Sequence, residues 1–304
     1  MIGHVLRRLL AIVPLVLLLA LGTFTMLKLA PGGPFDAERS FPPEIERQLQ
    51  VKFHLDQPWY DQFATYMVGI ADGTLPSMKR PGLTVGELIG ESFPVSLVLG
   101  LLALAFALGL GITTGVIGAL RQNTVWDWAT MAVALIGISV PNFVLGPLLV
   151  LVFALQLGWL PPARWAGFST MILPAITLGL AYAAYIARLT RAGMLEVIHS
   201  DFIRTAHAKG LSEWQVVGRH ALKGSLLPVV TFLGPATAQI VTGTVVIEKI
   251  FQIPGLGYYF VQSALDRDYS MVLGVIVFYA MLLMVLNLVV DVAYTWLDPR
   301  VELT

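Results

Sequence analysis

Six long stretches without any charged side chain constrain this sequence more than any other feature. Each is free of Asp, Glu, Lys and Arg over 19 to 36 residues. They are Leu9–Leu27, Ser92–Leu120, Trp128–Ala163, Trp165–Ala187, Gly224–Ile247 and Tyr269–Val290. About 20 apolar residues in a helix cross the hydrocarbon core of a bilayer, where backbone hydrogen bonds must be made within the protein. The pattern therefore predicts an all-α, polytopic membrane protein with six transmembrane helices.

The composition excludes the common soluble classes of protein. Of the 304 residues, 57% are hydrophobic and 12% are charged, and that charged share is about half of the share in soluble domains. Basic and acidic residues number 19 each, so no overall positive charge indicates a nucleic-acid partner. Cysteine is absent, which excludes disulfides, thiolate zinc sites and cysteine nucleophiles.

Three details of the apolar stretches carry further expectations. The first stretch is interpreted as a retained membrane anchor rather than a signal peptide, because it exceeds the usual signal core of about 7–15 residues. The third is too long for one span, and its helix is expected to end near Gln156. Pro141 within it is interpreted as a proline that the membrane helix tolerates rather than as a break. The spacing of Gly111 and Gly115 predicts close helix packing.

The distribution of Lys and Arg predicts the orientation. If the N-terminus is cytoplasmic, the inner segments carry ten basic residues and the short outer loops carry three. The ten are Arg7, Arg8, Arg121, Arg188, Arg191, Arg204, Lys209, Arg219, Lys223 and Arg300, against Arg164, Lys249 and Arg267. Because cytoplasmic loops are enriched in basic residues, both termini are expected in the cytoplasm. Residues 1–304 then form a single transmembrane domain, with an outer loop over 31–91 and a cytoplasmic loop over 188–223.

The outer loop contains an amphipathic stretch over Glu44–Val68. Its large apolar members are Leu49, Phe53, Trp59, Phe63 and Met67. This apolar face is expected to pack on the membrane surface or on a partner protein.

Membrane enzymes and pumps need chemistry that the apolar stretches lack. All five histidines lie outside these stretches, whereas proton and ion pumps usually carry ionisable groups within the membrane. The sequence also contains no HExxH, GxSxG or Walker A motif. We therefore expect neither catalytic residues nor a metal site, and any transport must be driven by another protein.

The cytoplasmic loop carries the most specific pattern. Ser200 or Asp201 is placed to cap a short helix over Phe202–Lys209, and Gly210 suits the left-handed position that ends a helix. Ser212 and Gln215 match a capping box for a second helix, which is expected to run to about Lys223. A helix–glycine–helix segment here is either a solvated loop or a docking element for a cytoplasmic partner.

The run Arg204–Ser212 resembles the "EAA" loop of ABC-importer permeases. That loop reads Glu-Ala-Ala, three residues, then Gly; Ala206 and Gly210 match it, while Arg204 and Thr205 replace the Glu and the first Ala. With these replacements, the segment resembles the corresponding loop of the peptide/nickel branch of the family. Further segments match that branch's first, B-type permease in the expected order, so the resemblance covers nearly the whole chain. They are Leu6–Leu10, Leu29–Gly32, Glu248–Gly257 and Leu297–Arg300.

The resemblance implies one permease subunit of a bacterial importer for di- or oligopeptides, in the cytoplasmic (inner) membrane. Its implied partners are a second homologous permease, two cytoplasmic ATPase subunits and an extracytoplasmic substrate-binding protein. ATP and magnesium would bind the ATPases, and this chain would hold no cofactor. Two alternatives stay open: a permease of the same branch for nickel or another small solute, and a non-transporting membrane scaffold.

Two sets of candidate residues follow. The residues expected to couple to the ATPases are Phe202, Arg204, Thr205, Ala206, His207, Ala208, Lys209 and Gly210. The uncharged polar candidates for the translocation path are Ser139, Asn142, Gln239 and Thr242. Hydrogen bonding between helices is the favoured alternative for this second set.

Overall fold

The computed structural model describes residues 2–35, 42–242 and 244–297. Part of the C-terminal motif, residues 298–300, lies outside them. The first half of the chain forms α1 (Ile2–Leu29), α2 (Pro43–Lys52), α3 (Trp59–Ala71), α4 (Val85–Leu120), α5 (Val125–Ser139) and α6 (Asn142–Leu149). A π-helical turn over Val150–Gln156 continues α6. The predicted helix end at Gln156 is therefore confirmed.

The second half begins with α7 (Phe168–Ile198) and the short α8 (Asp201–Ala208). Next come α9 (Glu213–Gln215), a π-helical turn over Val216–Ala221, and α10 (Leu222–Ser225). The chain ends with α11 (Leu227–Thr242), α12 (Val245–Phe251), α13 (Leu256–Leu265) and α14 (Tyr269–Leu297). The second helix predicted after Gly210 thus exists, although it contains a π-helical turn and extends to Ser225.

Within the described residues, four helices are long and apolar enough to cross a membrane alone. They are Leu10–Leu29, Val85–Leu120, Phe168–Ile198 and Tyr269–Val290. Two bent pairs, Val125–Ser139 with Asn142–Gln156 and Glu213–Ser225 with Leu227–Thr242, bring the number to six if each pair is one span. The prediction of an all-α, polytopic membrane fold is confirmed.

The interpretation of Pro141 as a tolerated proline is wrong. Helix α5 ends at Ser139, Val140 is extended, and Pro141 is the residue that precedes α6. The two helices differ in direction by 112°. A proline has no N–H to donate to the preceding turn, and its ring pushes the residue before it towards extended backbone. These effects account for the break at Val140 and Pro141.

The amphipathic stretch over Glu44–Val68 packs on its own chain, which corrects the expectation of a membrane or partner surface. Phe53 is buried, and Leu49, Phe63 and Met67 are partly buried against the same cluster. That cluster includes buried residues of α1 and α14, namely Val16, Ala20, Phe24, Tyr269, Met271, Leu273, Val275 and Val277. Trp59 alone among the five predicted apolar residues stays largely exposed.

Helices α4 and α7 approach each other until backbone touches backbone. A Cβ atom added at Gly111 or Gly115 of α4 would lie 2.6 Å from the carbonyl oxygen of Ala183 or Ala187 in α7. From the other side, a Cβ atom at Gly179 of α7 would lie 2.5 Å from the carbonyl oxygen of Ala103. The close packing predicted from the glycine spacing is therefore confirmed.

The contact of α4 and α7 at Gly111, Gly115 and Gly179, here called the glycine seam, gives a first testable prediction. Gly179→Val should destabilise the protein by about 1–3 kcal/mol, because its side chain would meet a backbone oxygen that cannot move aside. Gly109→Val is the matched control, since nothing lies within 4 Å of a Cβ atom at Gly109. Thermal unfolding in one detergent measures both variants. Equal melting temperatures for the two would contradict the seam.

Candidate functional site

Gly210 ends the short helix α8 as the sequence predicts. Its φ angle is +74°, and a Cβ atom there would have open space around it. Glycine is therefore required by backbone conformation and not by crowding. The Gly210 N–H donates to the carbonyl oxygen of His207 at 2.9 Å, which satisfies one of the free carbonyls at the helix end. The helix itself begins at Asp201, one residue earlier than predicted.

One side of α8 packs into the protein. Ile203 and Ala206 are buried in a cluster with Met194 of α7 and with Val216 and Ala221 of the following helical segment. Ala206 consequently packs within its own chain. This anchoring fixes α8 to the two segments that flank it.

The other side of α8 faces outward. Phe202 is 51% exposed although it is a large apolar side chain. The remaining coupling candidates are also exposed: Arg204, Thr205, His207, Ala208, Lys209 and Gly210. Arg204 forms an exposed ion pair with Asp201 of the same helix at 3.2 Å. The structure thus divides the candidates into one buried and seven exposed residues.

The segment from α8 to α10 is attached to α7 at both of its ends. Only His199 and Ser200 separate α7 from α8. Further along, Gly193 of α7 leaves no room for a side chain because the carbonyl of Ser225, the last residue of α10, lies against it. A displacement of α8 must therefore be shared with α7.

The four path candidates lie in two places. Ser139 ends α5 and is exposed, and Asn142 begins α6 and is half-buried, so the proline break separates the two. Gln239 is exposed on α11. The Thr242 hydroxyl donates to the carbonyl oxygen of Ala238 at 2.8 Å, a bond within its own helix rather than between helices.

Three buried carboxylates lie immediately outside the charge-free stretches. Asp127, Glu248 and Asp268 are 4%, 0% and 1% exposed. Each directly flanks one of the stretches. A search for ionisable residues inside the stretches misses them, whereas a search at the ends would have found them.

Glu248 joins the segment between the last two spans to α4. Its carboxylate accepts hydrogen bonds from the Ser96 hydroxyl at 2.7 Å and the Tyr258 N–H at 2.9 Å. The Ser96 oxygen in turn accepts the Leu256 N–H at 2.9 Å. Gly255 packs directly on this carboxylate, where a side chain would clash.

Asp268 joins the chain between α3 and α4 to the start of α14. It accepts hydrogen bonds from the Ser77 hydroxyl, from the Met78 N–H at 3.2 Å and from the Met271 N–H at 3.1 Å. Burial raises the pKa of the nearby Tyr66 phenol above its ordinary value, and the Asp268 carboxylate adds to that shift.

Asp127 forms a two-point ion pair with Arg191 of α7. Its two carboxylate oxygens accept from Arg191 Nε at 2.6 Å and Nη2 at 2.7 Å. The Asn123 N–H donates to the same carboxylate at 3.0 Å. Within residues 2–35, 42–242 and 244–297, no group of three or more His, Asp or Glu side chains is arranged to hold a metal ion.

Comparison with known proteins places this geometry in a family. Residues 111–303 match the family model described as "binding-protein-dependent transport system inner membrane component". The oligopeptide transport system permease protein OppB of Haemophilus influenzae is 45% identical, covering 99% of this chain and all of the relative. The dipeptide transport system permease protein DppB of Bacillus subtilis is 42% identical, covering all of this chain and 99% of the relative.

Solved structures share the fold. An inward-facing structure of the MetNI methionine ABC transporter aligns with a TM-score of 0.57 at 18% identity, over 69% of this chain and 96% of that chain. An amino acid ABC transporter aligns with a TM-score of 0.52 at 14% identity, over 71% of this chain and 94% of that chain. With its apolar helices, its glycine-ended α8 and these matches, the chain belongs to the family of binding-protein-dependent transport system inner-membrane components.

Proposed function

We propose that the chain is the membrane-spanning subunit of an ATP-driven importer and forms half of a translocation path for di- or oligopeptides. The exposed face of α8 carries this proposal. It presents Phe202 to the solvent while Ile203 and Ala206 fix the helix to α7. The full-length likeness to relatives named as oligopeptide and dipeptide permeases supports the choice of peptides.

The proposed assembly contains a second homologous permease, two cytoplasmic ATPase subunits and an extracytoplasmic substrate-binding protein. ATP and magnesium bind the ATPases, and this chain holds no cofactor. The chain acts as one transmembrane domain over residues 1–304, with both termini and residues 188–223 in the cytoplasm and residues 31–91 outside.

In the proposed mechanism the ATPases move α8, and α8 moves α7 with it. Helix α7 is seated on α4 through backbone contacts at Gly111, Gly115 and Gly179, so the two helices move as a unit. The movement changes access to a path beside the proline break. The candidates that would line the path are Ser139, Asn142, Gln239 and Thr242. Only contacts that differ between the two states can drive such a change.

The docking of the ATPase gives the second prediction. Burial of a phenylalanine contributes about 1.5–3 kcal/mol, whereas an exposed ion pair contributes about 0–1 kcal/mol. We therefore expect Phe202→Asp to weaken ATPase binding about 10- to 150-fold, and Arg204→Ala to have little effect. Co-purification of the ATPase with the permease measures both variants.

Two controls accompany this test. Phe202→Leu keeps an apolar side chain and should retain the ATPase. Ile203→Asp places a charge in the buried cluster and should lower the melting temperature. It serves as the reference for a variant that loses the ATPase through misfolding. Retention of the ATPase by a well-folded Phe202→Asp variant would disprove the docking face. Failure of the unmutated protein to bind any ATPase would favour a scaffold.

Gly210 gives the third prediction. Valine in the left-handed region costs roughly 1–2 kcal/mol, while asparagine adopts it more readily. We expect Gly210→Val to assemble with its partners but to lose most substrate stimulation of ATP hydrolysis, and Gly210→Asn to keep most of it. Equal stimulation in the two assembled variants would show that the left-handed conformation is irrelevant to coupling.

The orientation gives the fourth prediction. Asp56 and Glu213 are exposed and lie in the proposed outer and inner segments. Because the chain has no cysteine of its own, Asp56→Cys and Glu213→Cys each introduce a single labelling site. In intact cells, a membrane-impermeant maleimide should label the first and should label the second only after permeabilisation. Labelling of both from outside would overturn the orientation.

A further inference from the structure

The ion pair between Asp127 and Arg191 joins two long apolar elements, α5 and α7. Side chains of the pair are 5% and 24% exposed. Gly118 of α4 lies beside it: a Cβ atom there would be 3.3 Å from Asp127 Oδ1 and 3.4 Å from Arg191 Cδ. Three helices, α4, α5 and α7, therefore meet at this pair.

The position of the pair links two regions that the proposed function needs to connect. Arg191 lies near the end of α7, which leads through His199 and Ser200 into α8. Asp127 lies in the first turn of α5. The other end of α5 is Ser139, where the chain breaks before Asn142. The pair thus stands between the docking helix and the helix that leads to the candidate path.

The chemistry of the pair suits the transmission of movement. Two parallel hydrogen bonds between a guanidinium and a carboxylate fix both distance and angle. Apolar helix contacts, by contrast, permit small sliding motions. Elsewhere α5 touches α7 through such contacts, for example at Gly137, where a Cβ atom would lie 3.3 Å from Leu180 and 3.4 Å from Ala184.

We propose that Asp127 and Arg191 are positioning residues that make α5 follow α7 when the ATPases move α8. The pair stays closed throughout the transport cycle and acts as a strut, not as a gate. This inference rests on the proposed function, because it assigns a route for the coupling that begins at α8. It extends the candidate coupling set beyond α8 to a contact between α5 and α7.

The experiment uses the complete assembly in liposomes, with trialanine-loaded binding protein as the stimulus. Asp127→Asn and Arg191→Gln should each reduce the stimulated part of ATP hydrolysis by about 10-fold, with ATPase subunits still bound. The reversed pair, Asp127→Arg with Arg191→Asp, should restore at least part of the stimulation. Arg188→Gln is the matched control, since Arg188 is exposed one turn earlier on α7, and it should behave as the unmutated protein.

A second measurement separates a strut from a gate. Asp127→Cys with Arg191→Cys can be bridged by a short bifunctional thiol-reactive reagent, and no other cysteine of this chain competes. Before bridging, this variant lacks the ion pair and should show the reduced stimulation; bridging a strut should raise both stimulated hydrolysis and trialanine uptake. Loss of both upon bridging, with activity before bridging, would identify a gate and overturn the proposal.

The remaining outcomes are also decisive. Full stimulation of ATP hydrolysis in the assembled Asp127→Asn and Arg191→Gln variants would disprove the strut and leave the proposed importer function intact. Early melting of both variants without rescue by the reversed pair would assign the pair to folding alone, against the proposal. If the unmutated assembly shows no stimulation by loaded binding protein, the proposed function fails, and the strut fails with it.

Discussion

The close approach of α4 and α7 is the contact on which the rest of the structure depends. Within lipid, helices gain little from hiding apolar surface from water, so they associate through van der Waals contact and hydrogen bonds at short range. Gly111, Gly115 and Gly179 permit that range by removing the side chains between the two backbones. Several elements described above are attached to this pair: α8 follows α7, and Ser96 and Gly118 lie on α4.

Buried carboxylates attach the peripheral elements to this central pair and to α14. Glu248 holds α12 and the start of α13 on Ser96, Asp127 holds α5 on Arg191, and Asp268 holds the chain between α3 and α4 on α14. A buried charge is costly unless hydrogen bonds satisfy it. Each of these carboxylates accepts at least two, so each specifies one arrangement of the elements that it joins.

Proline lies at the sharper of the two bends that the described part of the chain shows within its bent spans. The turn of 112° between α5 and α6 places Ser139 and Asn142 on either side of a break in an otherwise apolar segment. Backbone groups freed by such a break need protein or water as partners, which is why irregular backbone at membrane depth usually lines a cavity. The break is therefore the physical basis for placing the candidate path there.

Local patterns in the sequence were sufficient for the all-α class, the apolar spans, the helix end at Gln156 and the helix that Gly210 ends. These features depend on residues close together along the chain: apolar runs, caps and a left-handed glycine. They also carried the family resemblance, since the motif around α8 is continuous. The glycine seam was foreseeable for the same reason, although its partner helix was not.

Only the tertiary structure decided which groups meet. Asp127 and Arg191 are 64 residues apart, Ser96 and Glu248 are 152 apart, and Ser77 and Asp268 are 191 apart. Nothing in a local pattern pairs such residues, because burial and hydrogen bonding depend on how helices pack and not on their own sequence. The same reason explains why the amphipathic stretch covers its own chain, and why Phe202 is exposed while Ile203 beside it is buried.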